Sequence, residues 1–157
     1  MVKILATADW QLGKAFGKIG NAADRFRDQL FSTAEHIINE VSSDFDIILI
    51  LGDTFDRTAV DWELIERVTE LLRSCDKPIH IIPGNHDYWH TSGMLWYLNN
   101  ELEDAENVVI HSEQQPFSIK SLGLTLYPGV LKSNPDYNDR TEWIPAREGD
   151  DGLRIGM

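Results

Sequence analysis

The sequence predicts an α/β fold with a mainly parallel sheet. Three observations carry that expectation. Short apolar runs at residues 2–6, 47–51 and 78–82 have the β-rich character of buried parallel strands. Segments with apolar residues three or four apart separate them, as amphipathic helices would. Each apolar run leads into a short polar motif: Asp9-Trp10-Gln11, Gly52-Asp53-Thr54-Phe55-Asp56 and Gly84-Asn85-His86-Asp87. Ligand sites in open α/β sheets lie beyond the carboxyl ends of the strands, so the three motifs belong on one rim.

The elements follow in order. A Gly-spaced loop, residues 13–20, leaves the first strand. A helix over 21–42 carries Phe26, Leu30, Phe31, Ala34, Ile37, Ile38 and Val41 as one apolar stripe. A second helix fits 60–74, with Leu64, Ile65, Val68, Leu71 and Leu72 turned inward. Strand, helix, strand, helix, strand makes two right-handed crossovers on a parallel sheet. A third helix over 92–102 carries Met94, Leu95, Tyr97 and Leu98, and short strands fit 108–110, 117–119 and 124–127. Past Pro128 the chain is rich in Pro, Asn, Asp and Gly. It predicts a long surface loop with one short helix near Trp143. Residues 153–157 begin a further strand.

Length and composition narrow the class. The 157 residues suit one domain, and 42% hydrophobic residues are enough for a packed core, which excludes disorder. The net charge of −12 removes any chain-wide basic footprint for nucleic acid, although bound divalent cations would reverse the field locally. Cys75 stands alone, so no intrachain disulfide forms, as suits a reducing compartment. Asp9 interrupts the start too soon for a secretory leader, and no apolar run nears the roughly 18 residues of a membrane span. The expectation is a cytoplasmic protein.

The motifs carry the chemistry. Asp53 ends an apolar strand, where a buried carboxylate needs a cation or a set of donors. Gly52 permits a sharp turn before it. Asp9 ends the first strand in the equivalent place. Two such carboxylates can hold two divalent ions about 3.5–4 Å apart, clamp a phosphate and activate a water. Asn85 offers an amide oxygen to one ion, and His86 could protonate a leaving oxygen. Asp87 fits a supporting or turn-capping place. Asp, Asn and Gly are also ordinary turn residues after strands. It is the trio together that points to a site for hard or borderline metals.

The trio resembles the calcineurin-like metallophosphoesterase superfamily, whose pattern runs Asp-x-His, Gly-Asp-x-x-Asp, Gly-Asn-His-Asp/Glu. Within it, residues 8–14, 52–57 and 82–87 are most similar to SbcD-type DNA double-strand-break repair exonucleases, over about the first 130 residues. The Gly-Asn-His-Asp motif is the specific one; Asp-x-x-Asp alone would be weak. The resemblance implies the N-terminal part of a four-layer αββα sandwich and two divalent ions, with Mn²⁺ favoured over Mg²⁺. It implies that Asp9 and Gln11 ligate the first ion, Asp53 bridges both and Asn85 ligates the second. His86 would be the catalytic histidine. Asp56 stands where some members carry a second histidine, and would be a supporting acid.

Two departures stand out. Gln11 replaces the usual His, a harder and weaker ligand. The family's later motifs, a lone His after a strand and then Gly-His-x-His, do not occur in this sequence. A metallophosphoesterase domain over 1–157, C-terminally incomplete, is the resulting expectation, as a fragment or a truncated form.

The implied function is two-metal hydrolysis of phosphodiester bonds in DNA, as an exonuclease or endonuclease subunit in repair, with an SbcC-like coiled-coil ATPase as partner. One alternative is a phosphoesterase for small or cyclic nucleotides, towards which the −12 charge leans. Another is a non-catalytic assembly module, motivated by Gln11 and the missing histidines. His90, Tyr88 and Lys14 are candidate substrate contacts. Tyr88, Trp89 and Trp96 could stack on bases, build a homodimer surface or simply pack; in SbcD-like nucleases this region contributes to a dimer interface. Lys18, Arg25 and Arg27 could meet phosphates or form a solvated face. His36 reads as a surface residue and His80 as a core residue. His111 is open to either role. The acidic runs 101–106 and 150–151 read as solvated surface.

Overall fold

A computed structural model describes residues 1–17, 20–147 and 152–157, and of Asn21 only the backbone. The expectations for Lys18 and for Asp150-Asp151 lie outside the described residues.

Four strands, β1 (Ile4–Thr7), β2 (Ile47–Leu51), β3 (Ile79–Ile82) and β4 (Val108–Ile110), form an all-parallel sheet in sequential order. The register sets Thr7 beside Ile50 and Leu51 beside Ile82, so the first three strands end at one rim. A second sheet holds β5 (Phe117–Ile119), β6 (Leu124–Tyr127) and β7 (Leu153–Gly156). Its β5–β6 pair is antiparallel and its β6–β7 pair parallel.

Alternation along β2 explains the layering. Ile48 and Ile50 face the helices, with Ile79, Ile81, Val108 and Ile110 beside them. Ile47 and Leu49 face the second sheet and pack on Leu124 and Leu126. A strand buried on both faces has no polar position, which is why 47–51 is wholly aliphatic. The described residues thus form helices on sheet on sheet.

The helices are α1 (Ala23–Asn39), α2 (Trp62–Ser74) and α3 (Met94–Glu101). The side chain of Asp61 caps α2 by accepting from the Leu64 N–H at 3.2 Å. The helix buries Ile65, Val68, Leu71 and Leu72, each worth about 1.5–3 kcal/mol. Leu64 is only half-buried.

Several expectations change. The predicted 21–42 helix is interrupted at Glu40: 3₁₀ turns occupy Gly20–Ala22 and Val41–Asp44 on either side of α1. The Ser42 hydroxyl donates to the Ile38 carbonyl, an oxygen a continuing helix would need for the Ser42 amide. Phe26 is 51% exposed rather than core; its ring packs 5.5 Å from Phe16 of the preceding loop. The short helix near Trp143 is a single turn, with the Ile144 amide donating to the Thr141 carbonyl at 2.9 Å, and Pro145 follows at once. No helix among the described residues is long and apolar enough to cross a membrane.

Candidate functional site

The loops after β1, β2 and β3 meet at the rim. The first two are zipped together by backbone bonds: Gln11 N–H to the Asp53 carbonyl at 2.9 Å, Leu12 N–H to the Thr54 carbonyl at 3.0 Å, and Asp56 N–H to the Leu12 carbonyl at 2.9 Å. Buried Leu12 and Phe55 anchor the zipper from beneath. Asp9, Gln11 and Asp53 hold left-handed backbone, with φ of 56°, 46° and 53°. L-residues adopt that region at a cost, and strain of this kind concentrates at functional sites.

The second and third loops touch through glycines. A Cβ on Gly84 would lie 2.1 Å from the Asp53 Oδ1, and one on Gly52 would lie 2.9 Å from the Gly84 Cα. Only bare backbone fits there. The approach lets the His86 N–H donate to the Asp53 Oδ1 at 2.8 Å. It sets Asn85 one residue from that contact.

Asp87 ties the loops from below. Its carboxylate accepts from the amides of Gly84 at 2.7 Å, Asp53 at 3.2 Å and Phe55 at 3.1 Å. Burial pushes its carboxyl up to about 6, against the pull of those amides, and leaves it mainly ionised at neutral pH. The sequence showed a turn cap here; the cross-loop bonds to residues 53 and 55 needed the fold.

His86 is oriented from behind. Its Nδ1 lies 2.9 Å from the Asp56 carbonyl oxygen, which can only accept, so Nδ1 carries the proton. Nε2 is then the nitrogen left for proton transfer, with the Asp56 carboxylate 3.9 Å from Nδ1.

Lys14 behaves differently from the expected free substrate contact. Its ammonium donates to the Gln11 Oε1 and lies 3.5 Å from the Asp56 Oδ1. Tyr88 and His90 pair with each other, ring centroids 5.2 Å apart, and the His90 Nδ1 meets the Thr91 carbonyl at 3.0 Å. Arg27 is tied to Asp24 and the Ala15 carbonyl. One contact had no signal in the sequence: the Asn134 amide donates to the Asn85 carbonyl at 2.8 Å, from within the long loop. His80 and His111 lie away from the rim, buried and paired with each other between the sheets.

Among the described residues, no three His, Cys, Asp or Glu side chains converge into a ready-made ion cage. The donors at the rim are two carboxylates, Asp9 and Asp53, and two amides, Gln11 and Asn85. All are oxygen donors, chemically suited to a hard divalent cation. Asp53 and Asn85 fit that role; at Gln11 the oxygen already holds an ammonium.

The sequence profile of the calcineurin-like phosphoesterases matches residues 2–152. The chain belongs to the calcineurin-like phosphoesterase family. Members hold divalent metal ions, which agrees with the oxygen-rich rim. The chain is also similar to a curated Staphylococcus epidermidis protein, the D subunit of the nuclease SbcCD, 35% identical over 107 residues. That alignment covers 64% of this chain and 28% of the relative, so it spans well under half of the relative's length.

Proposed function

We propose that this chain carries the first three motifs of a metal-dependent phosphodiesterase site of the DNA nuclease type. The observation that carries the reading is the locked contact between the second and third loops: Asp53 Oδ1 on the His86 amide, with Gly84 too close to Asp53 for any side chain. It gathers a carboxylate, an amide and an imidazole from two strand ends at one point.

In this reading Asp9, Gln11, Asp53 and Asn85 are the metal ligands, for two ions with manganese preferred over magnesium. The bound ions would supply charge for the phosphate and a water of lowered pKa. The chain's own part is orientation and proton transfer. Asp53 and Asn85 are held by the interloop bonds. His86 presents Nε2 because Nδ1–H is held by the Asp56 carbonyl, and protonated Nε2 would deliver its proton to the departing sugar oxygen. The nearby Asp56 carboxylate would steady the imidazolium, and Asp87 keeps the loops in register. Residues 1–157 are the part of the metallophosphoesterase domain that bears these motifs.

DNA as substrate, a role in repair, an SbcC-like ATPase partner and a cytoplasmic setting are supported by similarity to the SbcCD nuclease protein. A homodimer surface is supported by aromatics on α2 and α3: Trp62, 58% exposed, lies edge-on to Tyr97, which packs on Trp96. The −12 charge favours a second reading, hydrolysis of small or cyclic nucleotides.

The test is hydrolysis of a chromogenic phosphodiester with Mn²⁺ by this chain, its Asp53→Asn variant and its His86→Ala variant. Turnover that falls in both, with the fold kept, is expected; removing one positioned acid typically costs about 10²–10⁴-fold. Equal turnover in all three refutes the assignment. Single-stranded DNA against a cyclic nucleotide then separates the two substrate classes.

A further inference from the structure

Lys14 reaches Gln11 for local reasons. The Lys14 N–H donates to the Gln11 carbonyl at 3.3 Å, closing a tight turn, and Gly13 at its centre has φ of 82°. A Cβ on Gly13 would lie 2.8 Å from the Leu64 Cδ2 of α2, so the turn is pressed against the helix layer. The turn returns the Lys14 side chain over Gln11. There its ammonium bridges two oxygens from different loops, the Gln11 Oε1 and the Asp56 Oδ1. Asp56 also backs His86 through its carbonyl. A single positive charge thus occupies the corner of the rim where the Gln11 amide faces inward.

On the metal-site reading proposed above, that amide oxygen is an ion ligand. A divalent cation coming to it meets a like charge on the same atom and must displace it. An amide is also a weak ligand, so it gives the ion little with which to compete. The Asp53–Asn85 side has no such occupant among the described contacts. Asp53 Oδ1 there accepts only a backbone amide.

We propose that Lys14 is a built-in competitor of the divalent ion at the Gln11 corner, so that the site fills in two separated steps, the Asp53–Asn85 side first. Lys14 is a positioning residue here: it sets which part of the site is loaded at a given metal concentration. The second step couples to Asp56, because displacing the ammonium frees that carboxylate beside His86.

The experiment counts bound Mn²⁺ by the loss of the free-ion electron paramagnetic resonance signal, on the full 157-residue chain. Wild type, Lys14→Met, Lys14→Arg and Asp53→Asn are compared, with circular dichroism confirming the fold of each. Wild type should bind a first equivalent at least about tenfold more tightly than a second, the scale of a like charge at close range. Lys14→Met should tighten the second step and leave the first unchanged; Lys14→Arg should keep the gap. Two equal steps in wild type, or a second step unmoved in Lys14→Met, overturn the role of Lys14 alone. Binding that is absent from wild type, or unaffected by Asp53→Asn, overturns the metal-site reading beneath it.

Discussion

Acid should unfold this protein through two histidines remote from the rim. His80 and His111 are 2% and 5% exposed, and the His80 Nδ1 lies 3.0 Å from the His111 Nε2. Leu49 and Val109 flank His80 in the sheet, and the Phe117 ring stands edge-on, 4.9 Å away. One neutral ring donates and the other accepts. Two imidazolium rings would set two donors against each other. Burial lowers the pKa of His80 to about 3, helped by the charge of His111, and burial lowers that of His111 to about 4. The unfolded chain takes up both protons near 6.5. Between these limits the unfolded state holds more protons, so stability falls as pH falls. The contribution is full well above pH 6.5, shrinks through 6.5 and levels off only below the folded values. Each histidine costs about 1.4 kcal/mol per pH unit in that window, so the pair removes about 4 kcal/mol by pH 5. That is a large share of the roughly 5–15 kcal/mol that holds a domain together. Urea unfolding followed by tryptophan fluorescence from pH 8 to pH 5 measures it. The double variant His80→Leu/His111→Leu should flatten the curve over this range. An equally steep curve in the double variant, or a flat one in wild type, would refute the reasoning.

Two further outcomes follow from the rim. Asp87→Ala strands the amides of Gly84, Asp53 and Phe55 in a buried place, at about 1–3 kcal/mol each, so a loss of at least about 3 kcal/mol is expected from urea unfolding. Asp87→Asn keeps one acceptor oxygen and should lose less; equal losses would show that the cross-loop bonds are not the cause. Gly84→Ala drives a methyl to 2.1 Å from the Asp53 Oδ1, so the second and third loops must part. The expected result is a lower melting temperature together with weaker Mn²⁺ binding, and unchanged values of both would contradict the close approach.

The order of elements and the place of the rim were legible in the sequence because they rest on local signals. Aliphatic runs mark strands buried on both faces, apolar spacing marks helices, and each polar motif sits at a strand end. Asp9, Gln11, Asp53, Asn85 and His86 could be named from that alone. Cooperation between loops was not legible, since it depends on distances between segments some thirty residues or more apart. Asp87 reads as a turn cap until the fold brings the Asp53 and Phe55 amides to it. Phe26 reads as core because the helical period cannot tell an inward stripe from its margin, and the structure turns it onto Phe16. Lys14 reads as a free surface cation; the tertiary structure decides otherwise by placing the Asp56 carboxylate within its reach. Residue type and spacing determined which groups the rim offers. Which of them are already engaged was decided by packing, because hydrogen bonds and ion pairs fall off over a few ångströms and only the folded chain sets those separations.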